Sequence, residues 1–149
     1  MKLVIQRVSR ASVACGAHFK AIGRGLLVLF GAEEGDQTAD AVLLARKTAG
    51  LRIFPDENGK MNLSLADIGG EVLVVPNFSL AADCRKGNRP SFIKAGDPAA
   101  AAGYFEEYLQ LLAGYGLPVK GGVFGGDMQV ELVNDGPITI IMDTTEWKQ

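Results

Sequence analysis

Two hydrophobic rhythms share this chain: a period of two that dominates, and a helical spacing that surfaces twice. From Lys2 to Cys15 apolar residues stand at Leu3 and Ile5, then at Val8, Ala11 and Val13. That pattern predicts a β-strand whose phase breaks near Ser9-Arg10, where a bulge or sharp bend would sit. Gly16-Ala17 reads as a turn and His18–Ile22 as a returning strand. Gly23-Arg24-Gly25 turns again into residues 26–30, a continuous apolar run of the kind buried on both faces. Helical spacing enters at Val42, Leu43, Leu44, Ala45 and Ala49, with Asp36 or Thr38 as the cap and Gly50 as the stop. Residues 51–54 predict a short strand, 55–60 a polar turn, 61–65 an irregular or extended segment, and 71–75 a buried strand that ends at Pro76.

Residues 77–94 carry neither rhythm. Unpatterned loops of that length inside compact domains are usually functional or disordered, and Phe78, Leu80 and Phe92 make this one too apolar to float free. Asp97 followed by Pro98 starts a second helix, which sets Tyr104, Phe105, Tyr108, Leu109, Leu111 and Leu112 on one broad face. Residues 119–124 and 128–133 predict two strands across Gly125-Gly126-Asp127. Asn134-Asp135-Gly136-Pro137 then separates two extended stretches and reads locally as a plain hairpin turn. Gly136 can take dihedrals that other residues avoid and Pro137 has no N–H, so such a turn leaves carbonyls facing outward with no donor competing for them. The sum is an α+β fold in one domain over 1–149. Its sheets are expected to be curved, largely antiparallel or mixed, and barrel-like, with two main helices packed outside.

Composition narrows the setting. No apolar run approaches the roughly 18 residues of a membrane span, and a charge within the first six residues leaves no room for a secretory apolar core. Cys15 and Cys84 lie far apart in a cysteine-poor chain, which suits reduced thiols; the expected compartment is the cytoplasm, with no membrane contact. Net charge is −2 and the pI about 5.4, against wrapping a long duplex, so DNA is not an expected partner. Holding one end of a nucleic acid remains open. Arg85, Lys86, Arg89 and Lys94 fall within ten residues that contain no acid, a local positive patch on an acidic protein.

Standard catalytic signatures are absent. Gly23-Arg24-Gly25 lacks the third glycine of a dinucleotide fingerprint, and no Gly-Lys-Ser/Thr phosphate loop occurs. His18 is the only histidine and has no metal-ligand spacing, so a structural or surface role is expected of it. Cys84 sits beside Arg85 and Lys86, which would lower a thiol pKa, yet no histidine is nearby and it reads as an inert buried thiol. Glu33, Glu34 and Asp36 could bind a hard cation, although a solvated strand-to-helix loop explains them more simply. No metal and no cofactor are expected. An enzyme built this way must rely on backbone donors, a hydroxyl, or a reactive group on the substrate.

Four segments together resemble one family. They are Gln6-Arg7-Val8, Pro76-Asn77-Phe78-Ser79-Leu80, the run Cys84-Arg85-Lys86-Gly87-Asn88-Arg89-Pro90-Ser91-Phe92 with Ala82-Asp83 before it, and Asn134-Asp135-Gly136-Pro137-Ile138-Thr139. In that order and over essentially the whole chain they look like the D-aminoacyl-tRNA deacylases. The resemblance implies hydrolysis of the ester joining a D-amino acid to the 3′-terminal adenosine of tRNA, leaving open whether glycyl-tRNA is also cleaved. It implies a homodimer in which each site is completed by the Gly-Pro motif of the other subunit, with that bond cis. Gly136 and Pro137 would then turn two backbone carbonyls toward the substituents of the aminoacyl Cα, rejecting an L-residue by rigid geometry, and Arg7 would brace the motif.

The second segment departs from the family's usual Ser-Gln-Phe-Thr-Leu. Two mechanisms follow from the resemblance: the Ser79 hydroxyl as nucleophile, or backbone N–H groups of Phe78 and Ser79 as an oxyanion hole with the terminal ribose 2′-OH assisting. No histidine or lysine stands close in sequence to activate Ser79, which favours the second. Asn77 keeps the amide of the usual Gln, while Pro76, with no N–H and a fixed φ, is expected to alter the floor of the pocket. Phe78, Phe124 and Met128 are candidates for the wall of an adenine pocket, with core packing the equal alternative. Arg85, Lys86 and Arg89 are candidates for acceptor-end phosphates. The rival reading is a tRNA-end binding module without catalysis.

Overall fold

The long N-terminal run stays extended for 14 residues because its apolar positions find a buried face on either side of one phase slip. A computed structural model describes residues 1–148. In chain order the strands and helices are β1 (Lys2–Cys15), β2 (His18–Ile22), β3 (Gly25–Gly31), α1 (Thr38–Ala49), β4 (Phe54–Pro55), β5 (Met61–Leu63), β6 (Glu71–Pro76), α2 (Pro98–Gly114), β7 (Val119–Gly121), β8 (Gln129–Asp143) and α3 (Thr144–Trp147). A single 3₁₀ turn, Phe78–Ala81, follows β6.

β1 organises the sheet. Along one edge it pairs antiparallel with β8 from end to end; along the other it pairs with β3 through its first half and β2 through its second. β6 joins β3 in parallel and β7 joins β6 in parallel, so the sheet is mixed. It also curls. Lys120 Nζ of β7 donates to Ala21 O of β2 at 2.6 Å, and His18 Nε2 lies 3.0 Å from Gly121 O, drawing the far edge back toward the hairpin. Leu3, Ile5, Leu26, Val28, Phe30, Val72 and Val74 face the helices, with Phe105, Tyr108 and Leu112 of α2 against them. Val8, Ala11, Val13, Leu27, Leu73 and Val75 fill the other side, inside the curl. Odd-numbered positions turn from the helix side (Leu3, Ile5) to the inside of the curl (Ala11, Val13) across the register shift between Val8 and Arg10, where the sequence placed a bulge.

α2 begins as expected, with the Asp97 carboxylate accepting from Ala100 N–H at 3.1 Å and Pro98 at the first position. Tyr108 and Thr48 share a buried hydroxyl bond of 2.9 Å that locks α2 to α1. Burial pushes the Tyr108 phenol up, so it remains a neutral partner. α1 is capped by Gln37, not by Asp36 or Thr38. Asp36 is committed elsewhere: its carboxylate pairs with the Met1 ammonium at 2.5 Å and accepts from Glu33 N–H at 2.6 Å, so it is not a solvated loop acid.

Other differences have local causes. Residues 51–53 are not strand, because the Ile53 carbonyl is taken by Arg7 Nη1 at 2.7 Å. The strand expected over 119–124 stops at Gly121, opposite Val74; two residues further on β6 ends at Pro76, which has no N–H to continue the ladder. Nor do β7 and β8 form a hairpin, since one pairs with β6 and the other with β1. The chain does not reverse at 134–137 either. Both halves of β8 pair with β1 in one direction, and the stretch between Asn134 and Thr139 is an outgrowth within a continuous strand. Among the described residues no helix is long and apolar enough to cross a membrane.

Candidate active site

Where β3 and β6 end side by side, the chain leaves the sheet through Pro76 and Asn77 and closes the Phe78–Ala81 turn. Asn77 N–H donates to Phe30 O at 2.7 Å, pinning the start of the turn to β3. Gly31 lets it sit so close: a Cβ there would meet Leu80 Cβ at 2.9 Å and Asn77 O at 3.1 Å. Beside the turn lies a cavity of about 550 Å³, walled by Phe30, Val75, Pro76, Asn77, Phe78, Phe124 and Met128 among others. Phe124 leans on Phe105 of α2 with ring centroids 6.3 Å apart, and Met128 Sδ accepts from Val123 N–H at 3.4 Å. Four of the residues singled out from sequence, Asn77, Phe78, Phe124 and Met128, therefore share one cavity wall. Phe78 is 64% exposed and meets Phe92 edge-on at 5.0 Å.

Ser79 stands on the same turn and is exposed. Its hydroxyl donates to Asn77 Oδ1, and its N–H donates to the same oxygen at 3.2 Å. The Phe78 N–H, first in the turn, has no protein acceptor among the described residues, as the leading donors of a helical turn commonly do not. Among the described residues the Ser79 hydroxyl bonds to no histidine, lysine or carboxylate, and the one histidine is engaged with Gly121. The arrangement offers main-chain donors beside an apolar cavity and no activated nucleophile.

Gly136 and Pro137 are exposed and do not line this cavity. Two steps along β1, from Gln6 to Val8, are matched by five along β8, from Thr139 to Asn134, so three residues stand out of the ladder. Their peptide bond, Gly136-Pro137, is cis. The outgrowth is fastened rather than loose. Arg7 Nε donates to Asp135 O at 2.8 Å while Nη1 holds Ile53 O, and the guanidinium lies 3.4 Å from the Asp135 carboxylate. Asn134 spans the base: its amide donates to Arg7 O at 3.2 Å and Ile138 O at 2.9 Å, and accepts from Ile138 N–H at 3.2 Å. Sequence reading missed Asn134. The signal was present, since an asparagine entering a Gly-Pro turn has an amide suited to satisfying the backbone groups the turn leaves unpaired.

The basic residues of the 77–94 segment divide. Arg85 is clamped by Asp83, with Nε to Oδ1 at 2.9 Å and Nη2 to Oδ2 at 2.6 Å. Those bonds hold the Asp83 carboxyl well below the usual carboxylate range. Asp83 lies just outside the acid-free window, two residues before Arg85, and Asp83 and Ser91 pair through mutual backbone bonds of 2.8 and 2.9 Å. Lys86 and Arg89 are exposed in the turn between them. Cys84 is also exposed, not buried as expected, because the turn carries it to the surface. Among the described residues no group of three or more His, Cys, Asp or Glu is placed to hold a metal.

Comparison with known proteins gives a consistent picture. The family described as D-Tyr-tRNA(Tyr) deacylase matches residues 4–143. The D-aminoacyl-tRNA deacylase of Anaeromyxobacter dehalogenans is 56% identical over 145 residues, covering 97% of each chain. That of Desulfitobacterium hafniense is 51% identical over the same length and coverage. Among solved structures, c-Myc DNA Unwinding Element Binding Protein superposes with a TM-score of 0.88 at 40% identity, over 96% of this chain and 98% of the other. A probable eukaryotic D-amino acid tRNA deacylase shares the fold with a TM-score of 0.79 at 16% identity, over 95% and 97%.

Proposed function

The chain belongs to the D-aminoacyl-tRNA deacylase family, and from that premise we propose how its residues divide the hydrolysis of D-aminoacyl-tRNA. The substrate is the aminoacylated 3′ end of a tRNA, and the products are free D-amino acid and tRNA. The non-catalytic binding module is not favoured, given relatives named as deacylases at more than half identity.

In this reading the terminal adenine enters the cavity against Phe78, Phe124 and Met128, which brings the ester to the rim beside the Phe78–Ser79 turn. Water attacks the ester carbonyl carbon, helped by the ribose 2′-OH. The developing oxyanion accepts from the N–H groups of Phe78 and Ser79, the 3′-oxygen leaves with a proton, and no side chain becomes acylated. The observation that carries the reading is that Phe78, which lines an apolar cavity, has an N–H without a protein acceptor among the described residues, and that the Ser79 hydroxyl beside it bonds only to Asn77 there. Lys86 and Arg89 are proposed for acceptor-end phosphates, with Arg85 contributing less because Asp83 already neutralises it.

The chirality filter is proposed to come from a second copy of the chain. Gly136 and Pro137 are exposed, take no part in the cavity wall of their own protomer, and are fastened by Arg7 and Asn134, as a rigid plug for a neighbour would be. Their carbonyls would meet an L side chain and leave a D side chain free. The cytoplasm, where charged tRNA is consumed, is the proposed compartment; neither DNA nor membrane is a proposed partner.

Release of D-tyrosine but not L-tyrosine from the respective tyrosyl-tRNAs tests the activity. Complementation tests the shared site. A variant blocked in the cavity (Phe124→Glu) and one with residues 135–137 replaced by three alanines are each expected to be inactive. Co-expressed, they should recover roughly a quarter of wild-type activity, since half the dimers are mixed and each of those holds one intact site. No recovery from well-folded mixed dimers would show that each protomer works alone.

A further inference from the structure

Asn77 has a contact that the proposed chemistry does not use and must undo. Its Oδ1 accepts both the Ser79 N–H, at 3.2 Å, and the Ser79 hydroxyl. One of the two donors assigned to the oxyanion is thus occupied in the free protein by the chain's own side chain. The backbone cannot swing away to release it. Asn77 N–H is fixed to Phe30 O, Leu80 packs where Gly31 has no side chain, and Leu80 N–H closes on Asn77 O at 3.4 Å. What is free to move is the Asn77 side chain, half-buried on the cavity wall.

We propose that Asn77 is a substrate-displaced cap on the oxyanion site: its carboxamide holds the Ser79 N–H until the ester carbonyl arrives, then turns aside. This rests on the deacylase reading above. Asn77 is a positioning residue, acting on the reaction through the donor it holds. The length of the side chain matters. Asparagine at the residue before a helical turn reaches the N–H two positions on, which is why it ranks among the best capping residues. In the free state the carboxamide oxygen stands where an oxyanion would, satisfying a donor that would otherwise be open to water. The cost is that part of each catalytic cycle goes into breaking this bond.

A cap that only stabilises the turn and a cap that also competes with substrate give opposite signs for stability and rate. Glycine is nearly as good a capping residue for stability, but its lack of a side chain leaves the donor open. Asn77→Gly is therefore expected to keep its melting temperature within a few degrees. Its single-turnover rate on D-Tyr-tRNA, at saturating enzyme, should rise by about 2- to 10-fold, the range set by the net strength of one hydrogen bond. Asn77→Asp is expected to melt no lower than wild type, because a carboxylate holds the N–H more strongly. Its rate should fall by at least about 10-fold near pH 8, and the deficit should narrow as the pH is lowered toward the carboxyl's titration. The wild-type pH profile would not show that recovery.

A folded Asn77→Gly with a rate equal to or below wild type overturns the proposal, as does an Asn77→Asp that matches wild type. If the wild type itself releases no D-tyrosine, the deacylase reading falls and takes the cap with it. An active wild type with a slower glycine variant sinks the cap alone.

Discussion

Replacing Ser79 with alanine separates a backbone mechanism from a nucleophilic one by a wide margin. In the fold the hydroxyl makes one hydrogen bond, to Asn77 Oδ1, at an exposed position where water can take its place. Its loss should cost stability at the low end for a hydrogen bond, about 0.5 kcal/mol. The Ser79 N–H is untouched by the substitution. If main-chain donors carry the oxyanion, the barrier changes by no more than that same amount, which is about a 2-fold change in rate. Had the hydroxyl been the attacking group, losing it would cost on the order of 10⁴- to 10⁶-fold, as removal of a catalytic serine does elsewhere. The assay is single-turnover release of D-tyrosine from D-Tyr-tRNA with enzyme in excess, alongside a thermal melt of the same preparation. A Ser79→Ala variant that melts like wild type yet loses more than about a thousandfold in rate would refute the backbone assignment.

Three further outcomes are expected. Arg7→Ala releases the Asp135 and Ile53 carbonyls together; two charge-assisted bonds should cost on the order of 3–6 kcal/mol by urea unfolding, and D-over-L selectivity should fall with them. Lys86→Ala and Arg89→Ala should each lower the slope of log affinity against log salt for uncharged tRNA by roughly 0.7 if both neutralise phosphates, whereas Arg85→Ala, already paired, should leave it nearly unchanged. At low pH the fold should weaken. Burial pushes the Asp40 carboxyl up, but bonds from Gln37 N–H and Lys148 outweigh it; burial of Asp143 is likewise outweighed by Thr145 and Lys2, so both sit below the ordinary 3.8. With folded values lower than unfolded ones, their contribution is complete above 3.8 and is lost as the pH falls through the folded values. Urea midpoints that stay level from neutral pH down to about 2 would contradict this.

Much of the fold was legible because it rests on periodicity. The slip near Ser9-Arg10, the buried run of β3, and the Asp97-Pro98 start of α2 each follow from local chemistry that the folded chain keeps. What escaped depended on partners distant in sequence. Asp36 looks like a helix cap until the Met1 ammonium is seen to claim it. Residues 134–137 look like a hairpin turn because the local signals are those of a turn. Only the shared partner β1 shows that the strand resumes its course. The wall formed by Asn77, Phe78, Phe124 and Met128 joins segments nearly fifty positions apart; the family resemblance pointed to these residues, whereas no spacing rule would have joined them. Arg85 was misjudged for a simpler reason: the acid-free stretch begins at Arg85 itself, two positions after Asp83, the partner that neutralises it.

Parity imposes a rule on the outgrowth in β8. Val130 and Leu132 pack inside the curl, whereas Ile138 and Ile140 pack toward the helices, so the odd number of looped-out residues is what carries the strand from one layer to the other. Deleting or inserting one residue there would turn both isoleucines outward and expose the helix-side layer along that edge. Lineages descended from this chain can therefore change the loop's length only by even increments if both layers are to stay covered.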